Sequence, residues 1–125
     1  MTLNLNSVLI GSAQPQALIE YYTKLFGKPD YVDSDYAGWQ LGASNLSIGP
    51  HSEVHGKSAQ PGRILLNMET DDVAGEFAKL AAVGAIVVRE PYQLGENGEF
   101  WVATLADPDD NYFQLQTPYE MPKAE

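Results

Sequence analysis

The sequence predicts an α+β fold built from two βαβββ repeats, and three observations predict it. The apolar residues switch from an alternating rhythm to a helical one and back, twice and in the same order. Each helical stretch closes on a glycine, Gly27 in the first copy and Gly84 in the second. A polar stretch, "GPHSEVHGKSAQPG" from Gly49 to Gly62, separates the copies and reads as the crossover loop between them. A single domain over residues 1–125 is expected, with repeat units at about 3–49 and 62–117; such a repeat constrains the fold more than any single motif does.

The elements follow in order. "LNLNSVLIG", Leu3 to Gly11, alternates as a strand does. "SAQPQALIEYYTKLFGKP" then sets Ala17, Leu18, Tyr21, Tyr22, Leu25 and Phe26 on one helical stripe; Ser12 and Pro15 are start signals, Gly27 and Pro29 stop signals. Three short strands are expected around Tyr31–Asp33, Ala37–Leu41 and Asn45–Ile48. The second copy opens with the apolar strand "GRILLNMET", Gly62 to Thr70. "DDVAGEFAKLAAVGA" is a helix capped by Thr70 or Asp71, with Val73, Phe77, Leu80 and Ala81 inward. Strands in "AIVVREPYQL", "GEFWVATLA" and "NYFQLQ" complete it.

Charge and composition narrow the partners. Seventeen acidic against seven basic residues give a net charge of -10, with the basic residues scattered. Neither a nucleic acid nor an anionic membrane surface is an expected partner. No apolar run approaches the roughly 20 residues of a membrane span, so a cytoplasmic protein is expected. The chain has no cysteine, which removes disulfides, thiolate nucleophiles and thiolate metal sites together. There is no nucleophile elbow and no glycine-rich phosphate loop.

Three stretches, "ALIEYYTKLFGKP", "METDDVAGEFAKLAAVGA" and "ADPDDNYFQL", stand in an order and at a spacing that resemble the vicinal oxygen chelate superfamily. That superfamily includes glyoxalase I, bleomycin-resistance proteins, fosfomycin-resistance enzymes and extradiol dioxygenases. The resemblance covers nearly the whole chain and implies that each repeat curls into half of a cleft. It also implies a homodimer. In "DPDD" the turn into the last strand carries Asp110 where glycine is usual, and aspartate tolerates a left-handed backbone better than most residues.

In metal-dependent relatives the first and last strands of each unit supply His and Glu ligands. The resemblance puts Ser7, Ser47, Leu65 and Gln114 at those four places, with Ile64 or Leu66 replacing Leu65 after a slip of one residue. Two hydroxyls, an alkyl group and a neutral amide suit no divalent cation, so neither a metal nor another cofactor is expected. "HSEVH" carries His51 and His55 at i, i+4 around Glu53, but the flanking Gly49-Pro50 and Gly56 argue against a helix; two exposed loop histidines are the expectation. His51, at the end of a strand, is also the one weak candidate for a proton-transfer group.

The expected ligand-binding residues are Ser7, Trp39, Ser47, His51, Arg63, Asn67, Tyr92, Trp101, Tyr112 and Gln114, with Gln40 beside them. Each aromatic among them also fits core packing or a dimer interface. Arg63 suits a ligand carboxylate or an internal ion pair with a neighbouring acid. The expected function is metal-free binding of a small molecule, and the acidic charge favours a cationic or neutral one. The alternative is a glyoxalase- or dioxygenase-like enzyme with a non-standard site, using His51, Glu69 or Glu99 to carry protons.

Overall fold

The structure is a computed structural model and describes residues 2–120. It falls into two compact units that divide between Lys57 and Ser58, inside the crossover loop. Each unit is a four-stranded mixed sheet with one helix.

The first unit contains β1 (Ser7–Ser12), α1 (Pro15–Phe26), β2 (Tyr31–Asp33), β3 (Tyr36–Leu41) and β4 (Ser44–Pro50), in sheet order β1-β4-β3-β2. β1 runs parallel to β4 and the other pairs are antiparallel. Pro15 opens α1 with its φ already helical, and the Ser12 hydroxyl accepts the Gln14 N–H at 2.9 Å just before it. Leu18, Tyr21 and Tyr22 are the buried stripe of the helix. Ala17, placed on that stripe by its spacing, is exposed instead. Tyr22 and Phe26 pack their rings against Trp39 of β3. The Trp39 indole N–H donates to the Gly27 carbonyl at 2.8 Å, which satisfies an acceptor just past the end of α1.

β1 is shorter than its alternation suggests. Leu3 and Leu5 continue the pattern, but Ser7 is already opposite Asn45 and β4 begins at Ser44. Residues before Ser7 run past the end of their partner strand, and both leucines are exposed.

The second unit contains β5 (Leu65–Glu69), α2 (Val73–Ala82), β6 (Ile86–Leu94), β7 (Phe100–Ala106) and β8 (Tyr112–Gln116), in sheet order β5-β8-β7-β6. The topology repeats that of the first unit, with β5 parallel to β8. β5 starts at Leu65 because Pro61–Arg63 forms a single 3-10 turn. The cap of α2 is neither Thr70 nor Asp71 but Asp72, whose carboxylate accepts the Gly75 N–H at 2.9 Å. Thr70 acts one step earlier, accepting the Asp72 N–H at 3.1 Å. β6 is an edge strand whose register against β7 shifts between Val87 and Arg89 and again between Arg89 and Tyr92, and Pro91 falls within the second irregularity.

Asp107 is fully buried in the turn from β7 to β8. Its carboxylate accepts the backbone N–H groups of Asp109 at 2.8 Å and Asn111 at 3.0 Å, and the Asn111 amide as well. Asp110 takes the left-handed backbone expected of it, at φ 62.

Candidate functional site

Strand register decides which side chains share a face. In the first unit Trp39 is opposite Leu46, and Ala37 is opposite Ile48; these four are buried on the face that takes α1. Their neighbours point the other way, so Leu9, Ser47, Gly38 and Tyr31 form one continuous row across all four strands on the face opposite α1. Ser7, Asn45 and Gln40 form the row on one side of it, and Gly11 and Gly49 are paired on the other side.

Two tyrosines lie flat on this face. A β-carbon at Gly38 would sit 2.1 Å from the Tyr31 ring, and one at Gly49 would sit 2.1 Å from the Tyr36 ring. Glycine is therefore required at both places. The Tyr31 hydroxyl reaches across Gly38 and hydrogen-bonds the Ser47 hydroxyl. His51 lies over Gly11 on the same side, and its Nδ1 accepts the Glu53 N–H at 3.1 Å. With Nδ1 accepting, the proton of the neutral ring is on Nε2, so the free nitrogen is a donor and not a base.

In the second unit the row corresponding to Leu9–Ser47–Gly38–Tyr31 is Asn67–Gln114–Thr104–Arg89, again one residue from each strand. Gln114 donates its amide N–H to the Thr104 hydroxyl at 3.0 Å. Thr104 is 7% exposed and Gln114 half-buried. The next row holds Glu69, Gln116, Val102 and Tyr92. The Arg89 guanidinium stacks on the Tyr92 ring, 3.5 Å from its centroid. At a solvent-facing site such a contact contributes about 0.5–1 kcal/mol. Tyr112 pairs with Leu65 on the opposite flank of the polar row.

The structure therefore brings Ser7 and Ser47 together on one sheet face, with His51 over Gly11 on the same side. It brings Asn67, Tyr92, Tyr112 and Gln114 together on another. Three expected ligand residues lie elsewhere. Trp39 is 2% exposed beneath α1, because alternation sets it opposite in direction to Gln40. Trp101 shares the phase of Ala103 and Leu105, whose partners Leu115 and Phe113 are on the face away from Gln114; it is 36% exposed there. Arg63 sits in the 3-10 turn and donates to the Gln60 amide oxygen, not to a carboxylate. Gln40 spends its side-chain amide on the Gly42 carbonyl at 2.7 Å.

Tyr31, Tyr36, Thr104 and Arg89 are on these faces although none is in the expected set, Thr104 because its side chain lies among the alternating small and apolar residues of a strand that reads as core. Tyr31 is signalled by Gly38 of its partner strand, and Tyr36 by Gly49, since each glycine leaves room for a ring. Arg89 is hidden by the two irregularities of β6, which break the period-two reading on both sides of it. Pro91 was the available sign of that break.

Of the four positions that the resemblance assigns to a chelate, Ser47 and Gln114 lie in corresponding rows of the two repeats, and Ser7 and Leu65 lie on the corresponding partner strands, each one row away. The donors there do not fit a divalent cation. Leu65 has no donor atom, Gln114 and Ser47 are engaged with Thr104 and Tyr31, and none of the four is charged. Among the described residues no three His, Asp or Glu side chains converge, and "HSEVH" forms a turn rather than a chelating helix.

Comparison with known proteins agrees with this architecture. The structure is similar to a glyoxalase-related enzyme from Fulvimarina pelagi, with a TM-score of 0.71 and 18% identity over 92% of this chain and 88% of that one. It is also similar to a glyoxalase/bleomycin resistance protein/dioxygenase family enzyme from Burkholderia phytofirmans PsJN, with a TM-score of 0.70 and 23% identity over 92% and 98% of the two chains. A glyoxalase/bleomycin resistance protein/dioxygenase from Nocardioides gives a TM-score of 0.72 at 13% identity, over 100% and 89%. No curated protein sequence matches. At these identities the structural likeness speaks to fold alone, but a sequence model of the glyoxalase-like domain matches residues 7–116, nearly the whole of both repeats. The chain belongs to the glyoxalase-like domain family, within the vicinal oxygen chelate superfamily.

Proposed function

We propose that this protein binds a small molecule without a metal, through hydrogen bonds from the polar row Asn67–Gln114–Thr104–Arg89. The observation that supports this most directly is the Gln114 to Thr104 hydrogen bond at 3.0 Å. It commits the last-strand side chain to orienting a neighbour, where a chelating relative would need a free carboxylate. A row of three neutral polar tips and one guanidinium, flanked by Tyr92 and Tyr112, is suited to holding a flat, partly polar ligand: the tips fix orientation and the rings supply apolar area.

Binding, rather than turnover, is the reading favoured by His51. It is the one weak proton-transfer candidate with a strand-end position, and its acceptor nitrogen is taken up by its own loop. Metal analysis of the purified protein, followed by calorimetry with nickel, zinc, manganese and ferrous ions, tests the metal-free half of the proposal. A tight stoichiometric site would overturn it. A thermal-shift screen against metabolites and antibiotics tests the binding half, because a ligand that prefers the folded state raises the Tm. A hit should lose most of its effect in Gln114→Ala, and an unchanged response would remove Gln114 from the site.

A further inference from the structure

Arg89 is one of two arginines in an acidic chain, and it is held by an aromatic ring instead of by an acid. Among the described residues the ion pair is Lys79 with Glu76, and no carboxylate lies within ion-pair distance of Arg89. Stacking on Tyr92 uses the flat face of the guanidinium and none of its five N–H donors, which remain in the plane of the group. Beside it in register is Thr104, a buried hydroxyl that accepts from Gln114 and so keeps its own proton to give.

Resting on the reading of the Gln114 face as the ligand face, we infer that Arg89 and Thr104 bind the carboxylate of a small organic acid. The fork of the guanidinium matches a carboxylate in two parallel hydrogen bonds, and the threonine hydroxyl donates a third. Directly opposite positions on neighbouring strands have β-carbons about 5 Å apart, close enough for one carboxylate to touch both side chains. Gln114 contributes twice: it fixes the direction of the Thr104 hydroxyl and presents its own carbonyl oxygen one strand further on. Asn67 continues the row with an amide. An acid carrying a hydroxyl or amino donor at its far end would complete the set.

The net charge of -10 opposes an anion at long range. That field is screened over about 8 Å at physiological ionic strength, whereas bidentate pairing acts at contact and decides whether the acid is held. The tyrosine beneath Arg89 keeps the cation in place before the ligand arrives, which lowers the ordering cost of binding.

Calorimetry on the full chain with 4-hydroxybenzoate and 4-hydroxybenzamide tests the charge directly, because the two share ring, size and hydroxyl. The acid should bind about tenfold tighter than the amide or better. Arg89→Gln should erase that preference and Arg89→Lys should restore only part of it, since an ammonium cannot bind in a fork. Thr104→Val should weaken the acid severalfold while leaving the ratio between wild type and Arg89→Gln in place. Equal affinity for acid and amide, absence of binding by the acid, or an acid affinity unchanged in Arg89→Gln would overturn the assignment. If a neutral compound from the thermal-shift screen binds in a Gln114-dependent manner while the acid does not, the carboxylate assignment falls and the metal-free binding function stands.

Discussion

The Tyr31 hydroxyl is hydrogen-bonded to the Ser47 hydroxyl across the bare backbone of Gly38. Ser47 stands in the row that corresponds to Gln114, so both last-strand positions of the repeats are occupied by a partner from their own sheet. In the first unit that partner is a ring from the edge strand. In the second it is a threonine from the neighbouring strand.

Tyr31→Phe should therefore lower stability by about 0.5–1.5 kcal/mol, the usual net worth of such a bond, because it leaves the buried Ser47 hydroxyl without its partner. Ser47→Ala should cost a similar amount, and the double variant should cost less than the sum. Urea denaturation of the three variants measures the coupling; strict additivity would show that the bond does not form in solution. Gly38→Ala should cost more than either, since its β-carbon would collide with the tyrosine ring.

The two tryptophans should separate cleanly in fluorescence. Trp39 is buried between α1 and its sheet, while Trp101 is partly open to solvent. Trp101→Phe should leave a blue-shifted emission that iodide hardly quenches, and Trp39→Phe should leave a red-shifted, quenchable one. Trp39→Ala removes a ring packed on Tyr22 and Phe26 together with the bond to Gly27, and should destabilise by about 3–5 kcal/mol. The same fluorescence comparison would show if Trp39 instead lines an accessible face.

The misplaced tryptophans mark how far the fold and the site can be read from sequence. Period changes located both helices and every strand, because periodicity is a local property of a chain and each amphipathic segment carries it unaided. The Asp110 backbone was legible for the same reason: φ 62 is demanded by the turn and tolerated by aspartate. Faces are legible only once a strand's phase is tied to its neighbours. Trp39 and Gln40 are adjacent, so one of them had to leave the expected site, and only the pairing of Trp39 with Leu46 settles which. Arg89 was illegible because two register shifts flank it, and a bulge depends on the partner strand as much as on its own residues.

Gln114→Glu should fold normally but change what the face accepts. A carboxylate cannot donate, so the Thr104 hydroxyl would reverse and donate to it. That reversal removes the proton offered to a bound acid and adds a like charge beside it. Affinity for 4-hydroxybenzoate should fall by about tenfold or more, with little change for the amide. No stoichiometric nickel or zinc site should appear in calorimetry, because the paired residue on β5 is Asn67 and Leu65 offers no donor. Tight metal binding by this single variant would mean that the remaining ligands are already present.

Asp107 provides the most exacting test of the turn that aims β8. It is fully buried and accepts from Asp109, from the Asn111 backbone and from the Asn111 side chain. Asp107→Ala would strand those donors inside the protein and should cost about 2–4 kcal/mol, since each buried polar group left unpaired costs about 1–3 kcal/mol. Asp107→Asn keeps one acceptor oxygen and should recover part of the loss, with the remainder reflecting the weaker neutral hydrogen bonds and the second oxygen now replaced by a donor facing the Asn111 amide. Chemical denaturation of both variants measures the difference. Because β8 carries Gln114, the same variants should lose ligand affinity through disorder of the strand, so binding must be compared well below each variant's Tm. If Asp107→Ala proved as stable as the parent, the buried turn could not be what sets the strand's direction.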